Sequence, residues 1–191
     1  FEAAASCWIR IRPTCGPLPW VTTTSQPSAA ISAICSAAAR AARRTGMAIT
    51  THSLRSAVGL DQLRIFTDEG VDPGRVIIGH ADSHLDLDYY LAVLDGGANL
   101  QFDLLGHRFG VEETIEPRLV EAIVELLERG FAPQLLLSQD VSHDRQLKAH
   151  GGFGYVYLHQ HFLPTLRTAA VGEGETRQLT IDNPARILTI P

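Results

Sequence analysis

Short runs of apolar and β-branched residues alternate with amphipathic helical patterns through most of this 191-residue chain. Four such runs are each followed by a segment whose apolar residues recur at helical spacing. Strands that alternate with helices favour parallel pairing through right-handed crossovers, so the predicted fold class is α/β with a parallel sheet. The predicted strands are residues 47–52, 75–80, 98–103 and 134–140, and the predicted helices are residues 56–69, 85–94, 116–129 and 157–169.

The first 37 residues differ in composition from the rest of the chain. They hold both Trp residues and all three Cys residues, and no acidic residue follows Glu2 until Asp61. Four prolines interrupt any helix or strand pattern there, at Pro13, Pro17, Pro19 and Pro27. We expect residues 1–37 to form an irregular segment outside a domain made by residues 38–191. A linker or an out-of-frame start of the coding sequence would give such a tract, and we favour the second hypothesis.

Composition excludes several classes of function. The apolar fraction of 45% fits a globular protein, and the net charge of −5 comes from scattered acids rather than from a charged block. No apolar run reaches the length of about 18 residues that a membrane span needs. The odd number of cysteines, without CxxC spacing, argues against a disulfide framework or a zinc knuckle. We expect a soluble, cytoplasmic protein with no nucleic-acid partner and no membrane partner.

Each predicted strand ends on a residue that can bind a metal ion or transfer a proton, namely His52, His80, Asp103 and Asp140. In a parallel α/β barrel the carboxyl ends of the strands converge on one face, where active sites are built. Imidazoles and a carboxylate suit zinc or a similar divalent ion. A single strand-end histidine is more often a hydrogen-bonded polar residue than a ligand, but four successive strands with such ends favour a metal or catalytic site.

Two other motifs carry less weight. His159 and His161 form an HxH pair, but in a predicted helix this spacing points the two side chains roughly 200° apart, so we do not interpret them as a metal pair. The glycine-rich residues 151–154 resemble a phosphate-binding loop only superficially, because no Lys-Ser/Thr follows them.

Four segments together resemble the phosphotriesterase family of the amidohydrolase superfamily. They are residues 43–53, 76–82, 136–140 and 183–188, and they occur in the family's order and spacing. The resemblance extends over residues 38–191. It implies a (β/α)8 TIM barrel of which this chain supplies the C-terminal half, strands five to eight. It also implies a centre of two divalent metal ions, usually zinc.

The resemblance also implies roles for the strand-end residues. His52 and His80 would be the metal ligands of the fifth and sixth strands. Asp140 would be the ligand of the eighth strand on the other metal ion, and the catalytic residue that accepts a proton from the bridging hydroxide as that hydroxide attacks. Asp103 matches the seventh-strand position and is expected to contact substrate. The loop that follows it, residues 104–110, would shape the substrate pocket, and His107 and Arg108 are expected substrate contacts.

Parts of the family pattern are missing. The HxH pair of the family's first strand has no counterpart. The lysine of the family's fourth strand, which bridges the two metal ions, is also absent, because the only lysine of this chain, Lys148, lies after the segment that matches the eighth strand. About half of the metal site therefore remains. Four parallel strands would also leave open edges. We expect a homodimer, with weak metal binding and little turnover by one chain alone.

The sequence thus predicts a metal-dependent hydrolase of a small-molecule ester, either a phosphotriester or a lactone. An alternative is a catalytically inactive fragment or scaffold of the same fold. A third interpretation, a mononuclear deaminase of the same superfamily, also uses strand-end His and Asp residues, but residues 183–188 argue against it.

Overall fold

Four parallel strands form one sheet in the computed structural model, which describes residues 29–106 and 112–190. The sheet order is β1-β2-β3-β4, the order of the strands along the chain. The strands are β1 (Ile49–Thr50), β2 (Val76–Ile78), β3 (Asn99–Phe102) and β4 (Leu135–Leu137). The register aligns Thr50 with Ile77, Ile77 with Asn99, and Gln101 with Leu136. This order of parallel strands confirms the predicted α/β fold.

Helices connect the strands and follow the last of them. Those before or between strands are α1 (Ala29–Thr45), α2 (Val58–Asp68), α3 (Leu87–Asp95) and α4 (Glu112–Glu128). Those after β4 are α5 (Leu163–Thr168), α6 (Glu173–Arg177) and α7 (Asn183–Leu188). Short 3₁₀ turns lie at Pro73–Arg75, Ala81–Ser83, Ala132–Gln134, Asp144–Gln146, Lys148–His150 and Gly154–Val156. None of the helices in the described part of the chain is long and apolar enough to cross a membrane.

One face of the sheet packs against the helices and forms the main core. Alternate strand residues point to this face because successive side chains of a strand alternate between its two faces. The apolar stripe of α4, with Leu119, Ile123 and Leu126, belongs to the same core. The strand residues in it are Ile49, Val76, Ile78, Leu100, Phe102, Leu135 and Leu137.

The opposite face of the sheet is more polar and carries a small second cluster. Ile77 and Leu136 pack there with Ile187 of α7. The neighbouring residues on this face, Asn99 and Gln101, are polar and buried. Helix α7 therefore contacts the face of the sheet that corresponds to the barrel interior.

The predicted helix over residues 157–169 is present in two parts. A π-helical segment, Leu158–Phe162, precedes α5. The Leu163 N–H donates to the Leu158 carbonyl five residues earlier, which is the spacing of a π-helix. Pro164 lies in the first turn of α5 and has no N–H to donate back into the preceding turn. A second π-helical segment, Gln178–Asp182, precedes α7, which likewise has a proline in its first turn.

Helix α1 begins earlier than the sequence predicted. It starts at Ala29, so residues 29–37 are helical, where the sequence predicted irregular structure. The cause is a helical spacing of small buried residues, with Cys35, Ala39 and Ala42 packed in the main core. The position of the domain boundary stays a prediction.

Candidate active site

The structure places each predicted strand-end residue in the turn that follows its strand. The strands are shorter than predicted, so His52 lies two residues beyond β1 and His80 two residues beyond β2. Asp103 directly follows β3, and Asp140 lies three residues beyond β4. Because the strands are parallel and adjacent, all four residues lie at the same edge of the sheet.

His52 and His80 are in direct contact. Nδ1 of His52 lies 2.7 Å from Nε2 of His80. The two rings meet edge to face, with centroids 4.4 Å apart and an interplanar angle of 89°. Two nitrogen atoms at this distance share one proton in a hydrogen bond.

A buried carboxylate fixes the orientation of His80. Asp103 Oδ1 lies 2.6 Å from His80 Nδ1 and also accepts a hydrogen bond of 3.1 Å from the His80 backbone N–H. Since an ionised carboxylate only accepts hydrogen bonds, the proton on Nδ1 belongs to the histidine. This leaves Nε2 of His80 as the ring atom that faces His52.

The backbone at His80 is also unusual. Its φ of 58° and ψ of 33° place it in the left-handed region, which residues other than glycine seldom adopt. The backbone N–H bond to Asp103 supports this conformation. The turn directs the imidazole of His80 toward the polar face of the sheet, although the alternation along β2 would place it on the other face.

Electrostatics favour a proton on His80. Burial disfavours the charged form, but the hydrogen bond and negative charge of Asp103 outweigh it, with Asp140 and Asp82 adding to them, so the pKa of His80 is raised. The carboxylate of Asp140 thus acts on His80 through its charge. The backbone N–H of Asp140 bonds to the carbonyl oxygen of Asp103 at 2.7 Å, which ties the end of β4 to that of β3.

Sequence reasoning gave no role to Asp82. Burial, reinforced by the charge of Asp103, raises the pKa of Asp82 to about 8. Its Oδ2 accepts a hydrogen bond of 2.6 Å from the Leu104 N–H, whereas its Oδ1 is buried without a hydrogen-bond partner. Asp82 stands two residues after His80 in the sequence, but only the tertiary contact with Leu104 reveals its environment.

Gln101 was also missed by sequence reasoning. It is buried on the polar face of β3, two residues before Asp103, and its Nε2 donates to Asp103 Oδ2 at 2.7 Å. The same nitrogen lies 3.1 Å from Ser138 Oγ at the end of β4. The only sequence signal was a polar residue at an inward position of a strand otherwise rich in apolar residues.

Three residues were predicted to contact substrate. The structure shows both oxygens of Asp103 engaged, Oδ1 by His80 and Oδ2 by Gln101, and the residue is only 4% exposed. Asp103 therefore supports His80 instead of offering a free carboxylate to a substrate. His107 and Arg108 lie outside the described residues.

The histidine pair fits one part of a metal site. Two imidazole ligands of a tetrahedral zinc ion lie about 3.3 Å apart, which follows from Zn–N bonds of about 2.0–2.1 Å. The nitrogens of His52 and His80 already converge at 2.7 Å, and Asp103 supplies the carboxylate that commonly orients a metal-bound histidine. Across residues 29–106 and 112–190 no three His, Cys, Asp or Glu side chains are grouped closely enough to hold an ion. The resemblance places Asp140 on the second metal ion, and that role stays a prediction.

The fold is that of half a (β/α)8 barrel. The crystal structure of the phosphotriesterase homology protein from Escherichia coli, with phosphate in its active site, matches with a TM-score of 0.77 and 33% identity over 83% of this chain and 53% of that one. The organophosphorus hydrolase from Deinococcus radiodurans matches with a TM-score of 0.70 and 30% identity over 81% of this chain and 50% of that one.

The chain belongs to the phosphotriesterase family, whose sequence model matches residues 15–188. That match starts upstream of residue 38, where the sequence resemblance was predicted to begin. The phosphotriesterase homology protein of Escherichia coli (strain K12) is 36% identical over 150 residues, which are 78% of this chain and 50% of that protein. The N-acetyltaurine hydrolase of Dictyostelium discoideum is 32% identical over 163 residues, 81% of this chain and 44% of that protein. The chain spans about half the length of the relatives it matches.

Proposed function

We propose that this chain supplies one histidine pair of a metal-dependent hydrolase site that acts on ester bonds. The observation that carries the proposal is the contact of 2.7 Å between His52 Nδ1 and His80 Nε2, with Asp103 behind His80. A shared proton now joins two nitrogens that can serve as two ligands of one ion. The family membership and the position at the carboxyl edge of a parallel sheet support the same conclusion.

Each residue would have a separate task. His52 would bind the ion through Nδ1 and His80 through Nε2, while Asp103 keeps a proton on His80 Nδ1. A bound divalent ion, zinc in our proposal, would lower the pKa of water and polarise the ester group. Asp140 would accept a proton on its carboxylate. Its backbone bond to Asp103 would hold it beside the histidine pair.

The proposed substrate is a small neutral ester, either a phosphotriester or a lactone. Two solved relatives with similar TM-scores support both substrates. One is an organophosphorus hydrolase, and the other was engineered from a weak promiscuous lactonase. A phosphoryl centre and a lactone carbonyl both develop negative oxygen charge under attack, and a metal site stabilises this charge in either case.

Metal analysis with activity assays tests this proposal. The purified chain, its His52→Ala and His80→Ala variants, and a control His159→Ala variant would be dialysed to equilibrium against buffer with a fixed concentration of free zinc, and the zinc bound per chain would be measured. His159 is exposed and lies on the π-helical segment before α5. We expect the wild type and the control to retain zinc, and each site variant to lose it. Hydrolysis of an aryl phosphotriester and of a lactone panel would then identify the substrate class.

A second candidate is a catalytically inactive fragment or scaffold of the same fold. It is raised by the extent of the match, because the chain spans about half the length of the relatives it matches. If the wild type retains no zinc and hydrolyses neither substrate class, this candidate replaces the enzyme.

We also propose that two copies of the chain associate. In the described part of the sheet, β1 and β4 each pair with one strand only, so each leaves an unpaired edge. All four strands are parallel, and β4 of one copy could pair with β1 of another in the direction that a closed barrel requires. A mass by light scattering of twice the 20.8 kDa of one chain is expected. A monomer at all concentrations would exclude this association.

A further inference from the structure

We propose that Gln101 is a positioning residue for the histidine pair and acts through Asp103, with Ser138 holding Gln101 in place. The proposal rests on the proposed function for its metal-binding consequence only. Its structural content, the orientation of His80, can be measured without any metal.

The contacts form a continuous chain of hydrogen bonds across three strand ends. His80 Nδ1 bonds to Asp103 Oδ1 at 2.6 Å, and Asp103 Oδ2 accepts from Gln101 Nε2 at 2.7 Å. Gln101 Nε2 also lies 3.1 Å from Ser138 Oγ. Gln101 is 8% exposed and Asp103 is 4% exposed, so water has little access to replace these bonds.

The chemistry of the donors fixes the direction of each of these hydrogen bonds. An ionised carboxylate only accepts, so the amide of Gln101 must turn its nitrogen toward Asp103 Oδ2. That nitrogen has two protons, and the second points to Ser138 Oγ. Without Gln101, Oδ2 would be a buried acceptor with one partner fewer, and the carboxylate could rotate to relieve it. Rotation would move Oδ1 away from His80 Nδ1 and remove the constraint on the tautomer of His80.

A nearby residue provides a matched control. Asn99 lies two residues earlier on the same face of β3 and is as deeply buried. Its Nδ2 donates to the backbone carbonyls of Gly74 and Val76, both at 2.9 Å, and none of the hydrogen bonds of its side chain reaches Asp103 or the histidines. Its replacement should therefore lower stability without changing the tautomer of His80.

The experiment compares Gln101→Met, Gln101→Leu and Asn99→Leu with the wild type. Methionine keeps the length of the side chain but cannot donate a hydrogen bond. Leucine is shorter and likewise cannot donate, and it matches the substitution at Asn99. Long-range ¹H–¹⁵N spectra of the metal-free chain, recorded at one fixed pH, report the histidine tautomers. Competition with a chromophoric chelator reports the affinity for Zn²⁺.

In the wild type and in Asn99→Leu we expect the His80 resonances to show a proton on Nδ1. In both Gln101 variants we expect this signal to be replaced by a tautomer mixture, and zinc affinity to fall about 10- to 100-fold, as is typical when a partner of a metal-bound histidine is removed. Wild-type spectra in either folded Gln101 variant would overturn the proposal, as would an equal change in Asn99→Leu. If the wild type binds no zinc, the proposed function fails while the tautomer signals still decide the role of Gln101.

Discussion

Asn183 Nδ2 donates a hydrogen bond of 2.8 Å to the carbonyl oxygen of Leu135, 48 residues earlier in the chain. The same amide nitrogen donates to the Ala132 carbonyl at 2.7 Å. One side chain at the start of α7 therefore satisfies one carbonyl in the 3₁₀ turn before β4 and one at the first residue of β4, and Asn183 is 2% exposed. This contact holds α7 against the start of the last strand, and the same helix carries Ile187 onto the inner face of the sheet.

Replacement of Asn183 by Ala should lower the free energy of unfolding by about 1–3 kcal/mol, because the two carbonyls lose their donor while they stay away from water. Urea denaturation followed by circular dichroism measures this change. The adjacent Asp182 gives a control, since its side chain is 50% exposed and forms a surface ion pair with Arg177. Asp182→Ala should change the free energy of unfolding by less than about 0.5 kcal/mol. Equal effects of the two substitutions would contradict this account of α7.

Asp82 predicts a pH dependence of stability in the metal-free chain. Its pKa is raised to about 8 in the folded state, mainly by burial, whereas an aspartate in an unfolded chain has a pKa of about 4. Between these values the unfolded chain releases a proton that the folded chain retains, so this residue makes the folded state progressively less stable as pH rises from about 4 to 8. His80, whose pKa is also raised, acts in the same direction, and its contribution is lost as pH rises through its folded pKa.

Asp82→Asn should therefore flatten the pH dependence, because asparagine has no proton to release and its side-chain carbonyl can still accept from the Leu104 N–H. The free energy of unfolding of wild type and variant would be measured by urea titration at pH 5 and pH 8 with a chelator present. We expect the wild type to lose more stability than the variant between these two values. Asp88→Asn, at an exposed site in the first turn of α3, should leave the wild-type pH dependence intact. A variant as pH-sensitive as the wild type would show that Asp82 is ionised in the folded chain.

Ser83 connects the turns that follow β1 and β2. Its Oγ accepts from the Arg55 N–H at 2.7 Å and donates to the His80 carbonyl at 2.6 Å. Arg55 has a φ of 57°, a conformation that non-glycine residues keep only when neighbouring contacts hold it. Ser83→Ala should lower the free energy of unfolding by about 1–2 kcal/mol and raise the hydrogen-exchange rate of the Arg55 amide. Ser142→Ala, at an exposed position, is the control, and an unchanged Arg55 exchange rate in Ser83→Ala would refute the connection.

Much of the fold was predictable because it follows from local pattern. The alternation of strands and helices located the sheet, and the strand-end positions of His52 and His80 followed from it. The conformation of His80 was not predictable, since its left-handed backbone is held by a carboxylate 23 residues away in the sequence. The roles of Asp82 and Gln101 depend on the same kind of contact, between residues that only the sheet brings together. The start of α1 was missed for a different reason: prolines and small residues hid the spacing of Cys35, Ala39 and Ala42.

A comparison of Gly106 and Gly130 distinguishes two ways in which an added side chain lowers stability, backbone strain and steric overlap. Both have positive φ, 74° and 88°, but a Cβ atom at Gly106 would lie 2.5 Å from Cγ of Tyr157, whereas one at Gly130 would meet nothing within 4 Å. Gly130→Ala should therefore cost only the backbone strain, about 1–2 kcal/mol. Gly106→Ala should cost more, because the ring of Tyr157 must move and its hydroxyl would leave Glu116, to which it donates at 2.6 Å.

Urea denaturation of both variants gives the comparison, and the double variant Gly106→Ala with Tyr157→Ala tests its cause. With the ring removed, the added cost of Gly106→Ala should fall to that of Gly130→Ala, since only the strain of the left-handed backbone remains. If Gly106→Ala is no more destabilising than Gly130→Ala in the wild-type background, Tyr157 does not pack against Gly106.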